Sequence, residues 1–138
     1  MPDHEHRVRV RYGETDQMGV VYHANYLAYM EEGRTRLMAS RGASYAELER
    51  TGFGLAVRRA SMRFRAPALY DEELLVKTRV DRVRGASINF VYAILRAADG
   101  TLLCEGETEL ACIDLKSPDR RPCMLPESIR RELEPREG

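Results

Sequence analysis

Asp16, Gly19, His23 and Asn25 stand close together in the run Tyr12-Gly13-Glu14-Thr15-Asp16-Gln17-Met18-Gly19-Val20-Val21-Tyr22-His23-Ala24-Asn25-Tyr26. An alternating strand pattern ends at the left edge of this run and a helical pattern starts at its right edge. A strand-to-helix junction aims backbone N–H groups at whatever lies beyond the helix N-terminus. A carboxylate just upstream of such donors suits acyl-transfer or hydrolytic chemistry, in which an oxyanion is held while water or a nucleophile is activated.

Each residue also has a plainer reading. Asp16 is a candidate base or nucleophile, and the positive end of the helix favours its ionised form. An aspartate between glycines equally suits a loop position where it closes a turn. The His23 side chain could hold a leaving group, orient water or bond a carbonyl. It could equally complete a hydrogen-bond network at a helix start. Gly19 permits a positive φ or a close approach of backbone to substrate, and a plain turn glycine competes. Tyr22 could line a pocket, whereas Tyr26 lies on the helix stripe and reads as core. Asn25 ties the loop to the first helical turn.

Several elements must position these residues. From His6 to Tyr12, Val8, Val10 and Tyr12 fall on one face and Arg7, Arg9 and Arg11 on the other, which predicts a half-buried strand. From Ala24 to Arg41 the period is helical. Tyr26, Met30, Gly33 and Leu37 form one stripe, with Glu31, Glu32, Arg34 and Arg36 expected on a solvated face. Gly33 costs up to about 1 kcal/mol in helix propensity, so a packing gain should offset it. Gly42 is placed to end the helix. Ser44-Tyr45-Ala46-Glu47 matches a capping box for a short helix to about Arg50. Strands are predicted at Leu55–Phe64, Leu74–Asp81, Ser87–Ala97 and Leu102–Asp114, the last two joined through Asp99-Gly100. Pro118, Pro122 and Pro126 mark an irregular segment before a final helical turn at Ser128–Glu134. One long helix needs a broad apolar surface, and one antiparallel sheet wrapped around it supplies that. The open edges of a five-stranded sheet call for cover or a second subunit.

Composition narrows the function classes. The 138 residues carry 22 basic and 22 acidic side chains, a net charge of +0. That leaves no global electrostatic case for nucleic acid. No apolar run approaches membrane-spanning length, and no signal peptide is visible. Cys104, Cys112 and Cys123 form neither a disulfide framework nor a zinc pattern. Cys104 and Cys112 would share one face of a strand as buried thiols. The redox context expected is the cytosol, and no metal site is suggested.

With these residues set out, the chain resembles the hot-dog-fold acyl-CoA thioesterases of the 4-hydroxybenzoyl-CoA thioesterase-like and YbgC-type branch. The resemblance rests on the Tyr12–Tyr26 run followed by Glu32 and Arg34. Arg121-Pro122-Cys123-Met124-Leu125-Pro126, similar to that branch's closing R-P-x-x-[IL]-P run, supports it. It covers about residues 6–133, consistent with one domain over 1–138. It implies an α+β hot-dog fold, a five-stranded antiparallel sheet wrapped around one long central helix. It also implies dimers joined sheet edge to sheet edge, often assembled into homotetramers, with active sites at the dimer interface. The family's catalytic carboxylate falls on Asp16. The amide that polarises the thioester carbonyl falls on His23, and basic positions that meet the CoA phosphates fall on Arg84 and Arg121. A guanidinium suits phosphate by its bidentate geometry, although any one arginine among 22 basic residues can equally be a solvated charge. Many members carry aspartate where Glu14 stands, so the resemblance leaves the role of Glu14 open.

The expected function is hydrolysis of an acyl-CoA to a free acid and CoA in the cytoplasm. Water is the co-substrate, there is no bound cofactor, and acyl-carrier protein is an alternative carrier. The other reading is a non-catalytic acyl-thioester sensor or envelope-associated scaffold. A third, acyl-thioester hydration, belongs with a different motif, in which a catalytic histidine follows the aspartate on the helix-entry loop.

Overall fold

The computed structural model describes residues 3–135. In chain order they form β1 (His4–Arg9), α1 (Asn25–Ser40), α2 (Tyr45–Arg50), β2 (Phe53–Phe64), β3 (Glu73–Val83), β4 (Ser87–Arg96), β5 (Leu102–Asp114) and α3 (Glu127–Leu133), with one 3-10 turn at Tyr12–Glu14. The strands make a single antiparallel sheet ordered β1-β3-β4-β5-β2. β3, β4 and β5 follow one another as a meander, and the N-terminal strands β1 and β2 flank it as the two edges.

The stripe of α1 decides how helix and sheet meet. Tyr26, Met30, Gly33 and Leu37 are all buried. A Cβ on Gly33 would lie 2.5 Å from Thr78 Oγ1 and 2.8 Å from Val76 Cγ1, both on β3. A Cβ on Gly106 of β5 would lie 2.4 Å from Met30 Cε. Two missing side chains, one on each layer, let α1 sit directly on the sheet. The packing gain expected to offset Gly33 is therefore contact with β3. The helix ends with Gly42 N–H on the Ala39 carbonyl and Ala43 N–H on that of Met38. This Schellman arrangement uses the positive φ of Gly42. At the start of α2, Ser44 Oγ accepts the Glu47 N–H, as the capping pattern predicts.

Arg34 corrects the expected solvated face of α1. It is 7% exposed. Its Nε donates to Tyr45 Oη at 3.1 Å and its Nη1 to Tyr92 Oη at 3.5 Å. Arg34 lies four positions after Met30 and four before Met38, on one buried ridge, and Tyr29 widens the stripe on its other flank. The stripe is thus wider than four residues, and its charged member is satisfied by phenol oxygens. The thiols behave as expected. Cys104 and Cys112 are buried on one face of β5, and Cys112 Sγ lies 3.5 Å from Cys123 Sγ. Burial pushes the Cys104 thiol up to about 11, and burial and Cys123 push that of Cys112 up to about 12.

The two edges differ. Along β2, Leu55, Val57, Ala60, Met62 and Phe64 are opposite Cys112, Leu110, Thr108, Gly106 and Cys104, which places them on the helix side of the sheet. The helix layer covers them only in part: Leu55 and Met62 pack against the core, while Val57 stays 48% exposed and Phe64 49%. The edge strand thus shows both its unpaired backbone and a partly uncovered apolar inner face. Among the described residues no helix is long and apolar enough to cross a membrane.

Candidate active site

The loop between β1 and α1 is a miniature hairpin. Thr15 bridges to Val21, and Val20 bridges to Leu69 in the β2–β3 connection. Val21 N–H donates to the Ala68 carbonyl at 2.9 Å. Within the hairpin, Asp16 N–H donates to Val20 O and Gly19 N–H to Asp16 O, both at 2.9 Å. Gly19 turns the chain at φ +80, and a Cβ there would meet nothing within 4 Å. The positive φ, rather than a close approach within the chain, is what this position needs.

Asp16 combines both readings open to it. Its Oδ1 accepts from Met18 N–H at 2.8 Å and from Val20 N–H at 3.4 Å, which closes the turn. Among the described residues, no hydrogen bond or cation occupies Oδ2. One oxygen therefore holds the carboxylate in place and leaves the other available for chemistry. The residue is half-buried, in an open depression of about 690 Å³ lined also by Tyr12, Thr15, Gln17, Gly19 and Tyr70. The Tyr12 and Tyr70 rings meet edge to face at 5.6 Å.

His23 is exposed, just before α1. Its ring tilts over Tyr22, with centroids 4.4 Å apart, and meets Phe64 edge-on at 6.5 Å. Phe64 in turn meets Tyr26 at 5.4 Å. These ring contacts replace the hydrogen-bond network that was the plain alternative for the imidazole. The backbone tells more. Asn25 N–H donates to Tyr22 O, Tyr26 N–H to His23 O and Leu27 N–H to Ala24 O. Among the described residues, the N–H groups of His23 and Ala24 find no acceptor. They are free donors at the positive end of a 16-residue helix. Tyr22 is 47% exposed beside them. Asn25 ties loop to helix through Nδ2, which donates to the Glu14 carbonyl at 2.9 Å.

Arg84 and Arg121 share a different corner. Arg84 lies in the β3–β4 turn, its N–H on Ser87 O. Arg121 opens a segment held beside β5 by the Ile113–Pro122 bridge and beside the turn by Leu125 N–H on Gly85 O at 2.8 Å. Both side chains are exposed. Arg121 Nε donates to Asp119 Oδ2 at 2.9 Å, and no carboxylate among the described residues pairs with Arg84. β3 runs from Glu73, next to the Asp16 loop, to Val83, next to Arg84. At 3.3 Å per residue that is about 33 Å. A single chain does not bring the arginines to Asp16.

Sequence reasoning missed Tyr12 and Tyr70 as a pair, because Tyr70 belongs to a distant turn with no motif. It also missed Phe64, whose strand pattern gave no sign that it would flank His23. Among the described residues no group of three or more His, Cys, Asp or Glu is arranged to hold a metal ion.

Residues 10–133 match the thioesterase-like superfamily. The chain is 38% identical over 123 residues to the acyl-CoA thioester hydrolase YbgC of Escherichia coli O6:H1, covering 88% of this chain and 89% of that one. In structure it is similar to a hypothetical protein of Thermus thermophilus, with a TM-score of 0.87 and 36% identity over 94% of this chain and 95% of that one. It is also similar to a 1,4-dihydroxy-2-naphthoyl-CoA thioesterase of Synechocystis, with a TM-score of 0.84 and 27% identity over 94% of this chain and 93% of that one.

Proposed function

The chain belongs to the thioesterase-like superfamily, and on that premise we propose that it is a hot-dog-fold acyl-CoA thioester hydrolase whose working carboxylate is Asp16. The observation that carries this reading is the pairing of a half-occupied carboxylate with free helix-end amides in one loop. Asp16 Oδ1 is spent on Met18 and Val20, and the His23 N–H lacks an acceptor among the described residues.

In the base mechanism Asp16 takes a proton from water, whose oxygen adds to the thioester carbonyl. In the nucleophile mechanism a carboxylate oxygen adds first and forms a mixed anhydride, which water then opens. Either way the carbonyl oxygen becomes an oxyanion that the His23 N–H stabilises. Its collapse breaks the C–S bond, and the CoA thiolate leaves and takes up a proton, from Asp16 in the base route and from water in the nucleophile route. Losing one such donor costs about 3–4 kcal/mol. Gly19 gives the turn the shape that presents Asp16, and Tyr22 flanks the acyl side.

The nucleotide end is assigned to Arg84 and Arg121 of a partner subunit. β2 offers the joining edge. Its first residue pairs with Asp114, near Arg121, and its last with Cys104, near the Asp16 loop. Two β2 edges paired antiparallel about a two-fold axis would set the arginine end of one chain beside the Asp16 end of the other. They would also cover Val57 and Phe64. The three free thiols support a reducing, cytosolic setting.

Asp16→Asn is expected to abolish thiol release from acyl-CoA while fold and assembly persist, and unchanged turnover would overturn the assignment. After a single turnover in ¹⁸O-water, label in Asp16 marks the nucleophile route, in which water opens the anhydride at the Asp16 carboxyl carbon. A panel of short, long, branched and aromatic acyl-CoAs, with acyl-carrier-protein thioesters alongside, tests hydrolase against binder. A pure binder needs no carboxylate beside an oxyanion site.

A further inference from the structure

Glu14 has no task in the chemistry, yet it is a hub of the loop's hydrogen bonds. Its Oε1 accepts from Arg11 N–H at 2.8 Å and from Tyr29 Oη at 2.9 Å. Its carbonyl accepts from Tyr22 N–H and from Asn25 Nδ2, both at 2.9 Å. One residue thereby holds the chain entering the loop, the chain leaving it and the second turn of α1. Asp16 lies two residues after Glu14, and His23 follows Tyr22. Both groups assigned to the reaction therefore sit within two residues of an atom in this junction.

We infer that Glu14, backed by the Tyr29 hydroxyl, is a positioning residue that sets the separation between the Asp16 carboxylate and the His23 N–H. The inference rests on the hydrolase reading given above. A loop of this length with glycines at 13 and 19 would otherwise sample many separations, and a misplacement of about 1 Å can cost about a hundredfold in rate. The buried end of the junction is rigid. Tyr29 is 3% exposed, and burial, then its bond to Glu14, raise its hydroxyl well above the ordinary phenol range. It therefore stays a donor at any working pH. The Tyr29 hydroxyl donates to the Glu14 carboxyl at 2.9 Å. Like Asp16, Glu14 takes both its bonds on one oxygen. It differs in that these bonds reach the incoming chain at Arg11 and the second turn of α1 at Tyr29, whereas those of Asp16 stay within its own turn.

The test compares thiol-release kinetics of the full-length protein with Glu14→Gln, Glu14→Ala, Tyr29→Phe and the double variant Glu14→Ala/Tyr29→Phe. Glu14→Gln keeps an acceptor oxygen and is expected to stay within about threefold of the parent kcat. Glu14→Ala and Tyr29→Phe should lower kcat by about tenfold to a hundredfold, with KM and the shape of the pH profile unchanged. The double variant should be no slower than Glu14→Ala alone, because Tyr29 acts through Glu14. The inference is overturned if kcat survives in a folded Glu14→Ala, or if the two losses simply add. It is also overturned if Glu14→Gln is as inactive as Asp16→Asn with an altered pH profile, which would put Glu14 in the chemistry itself. Should Glu14→Ala fail to fold, Tyr29→Phe decides, and an unchanged kcat there overturns the inference. A parent protein silent on every acyl thioester would instead refute the hydrolase reading. In that case a non-hydrolysable thioether analogue of acyl-CoA is titrated and the His23 amide followed by NMR. A shift in the parent that is lost in Tyr29→Phe supports the positioning role, and any other pattern overturns it.

Discussion

The two ends of the sheet are built by opposite means. At the Asp16 end the groups we assign to the chemistry are backbone amides and a short carboxylate, held by contacts to Leu69 and Ala68 and by the turn at Gly19. At the arginine end the groups we assign to the nucleotide are long exposed guanidiniums on a turn and an irregular segment. Bond-making needs atoms held within a fraction of an ångström. The phosphates of a CoA ester can be met by exposed guanidiniums through charge and bidentate geometry. The same fold thus offers a rigid end suited to chemistry and an adaptable end suited to holding, and joining β2 edges would bring the two together.

That division can be broken most sharply by mixing subunits. Asp16→Asn chains and Arg84→Ala/Arg121→Ala chains should each be inactive at low substrate. Unfolded and refolded together, half of the dimers become hybrids in which one site has both its Asp16 and its arginines intact. Activity should return to about a quarter of the parent value. A site contained in one chain would give no recovery in the same assay.

A smaller effect separates holding from chemistry. Arg84→Ala and Arg121→Ala are each expected to raise KM about tenfold with kcat unchanged, the signature of lost uniform binding. They should also flatten the dependence of KM on salt, since these contacts are exposed and screened. Steady-state kinetics across an ionic-strength series reads both. The smallest effect lies at the rigid end. Gly19→Ala meets no neighbour, so its cost is the left-handed backbone alone, about 1–2 kcal/mol. Thermal melting should show that loss, and kcat should fall several-fold while KM holds.

Much of the fold was legible in the residues because its elements repeat locally. β5 spans Leu102–Asp114 as the alternation predicts, and α1 lies within one residue of the predicted Ala24–Arg41 at either end. Gly33 announced a close approach by its cost, and the approach is to Val76 and Thr78. Asp16, Gly19, His23 and Asn25 could be picked out because a strand period and a helix period meet around them. Arg34 was misplaced because its charge outweighed its spacing, while the fold satisfied it with two phenols from α2 and β4.

Local periodicity, glycine placement and the loop motif are properties of neighbouring residues, and the chain alone determined them: which stretches are strands, which face of α1 is apolar, and where the carboxylate sits before a helix. The sheet order β1-β3-β4-β5-β2, the partly uncovered inner face of β2 and the placing of Asp16 and the arginines at opposite ends of β3, a strand of about 33 Å, depend on which surfaces bury one another. Those pairings are long-range, they are chosen by packing of α1 against β3 and β5, and no spacing along the chain encodes them.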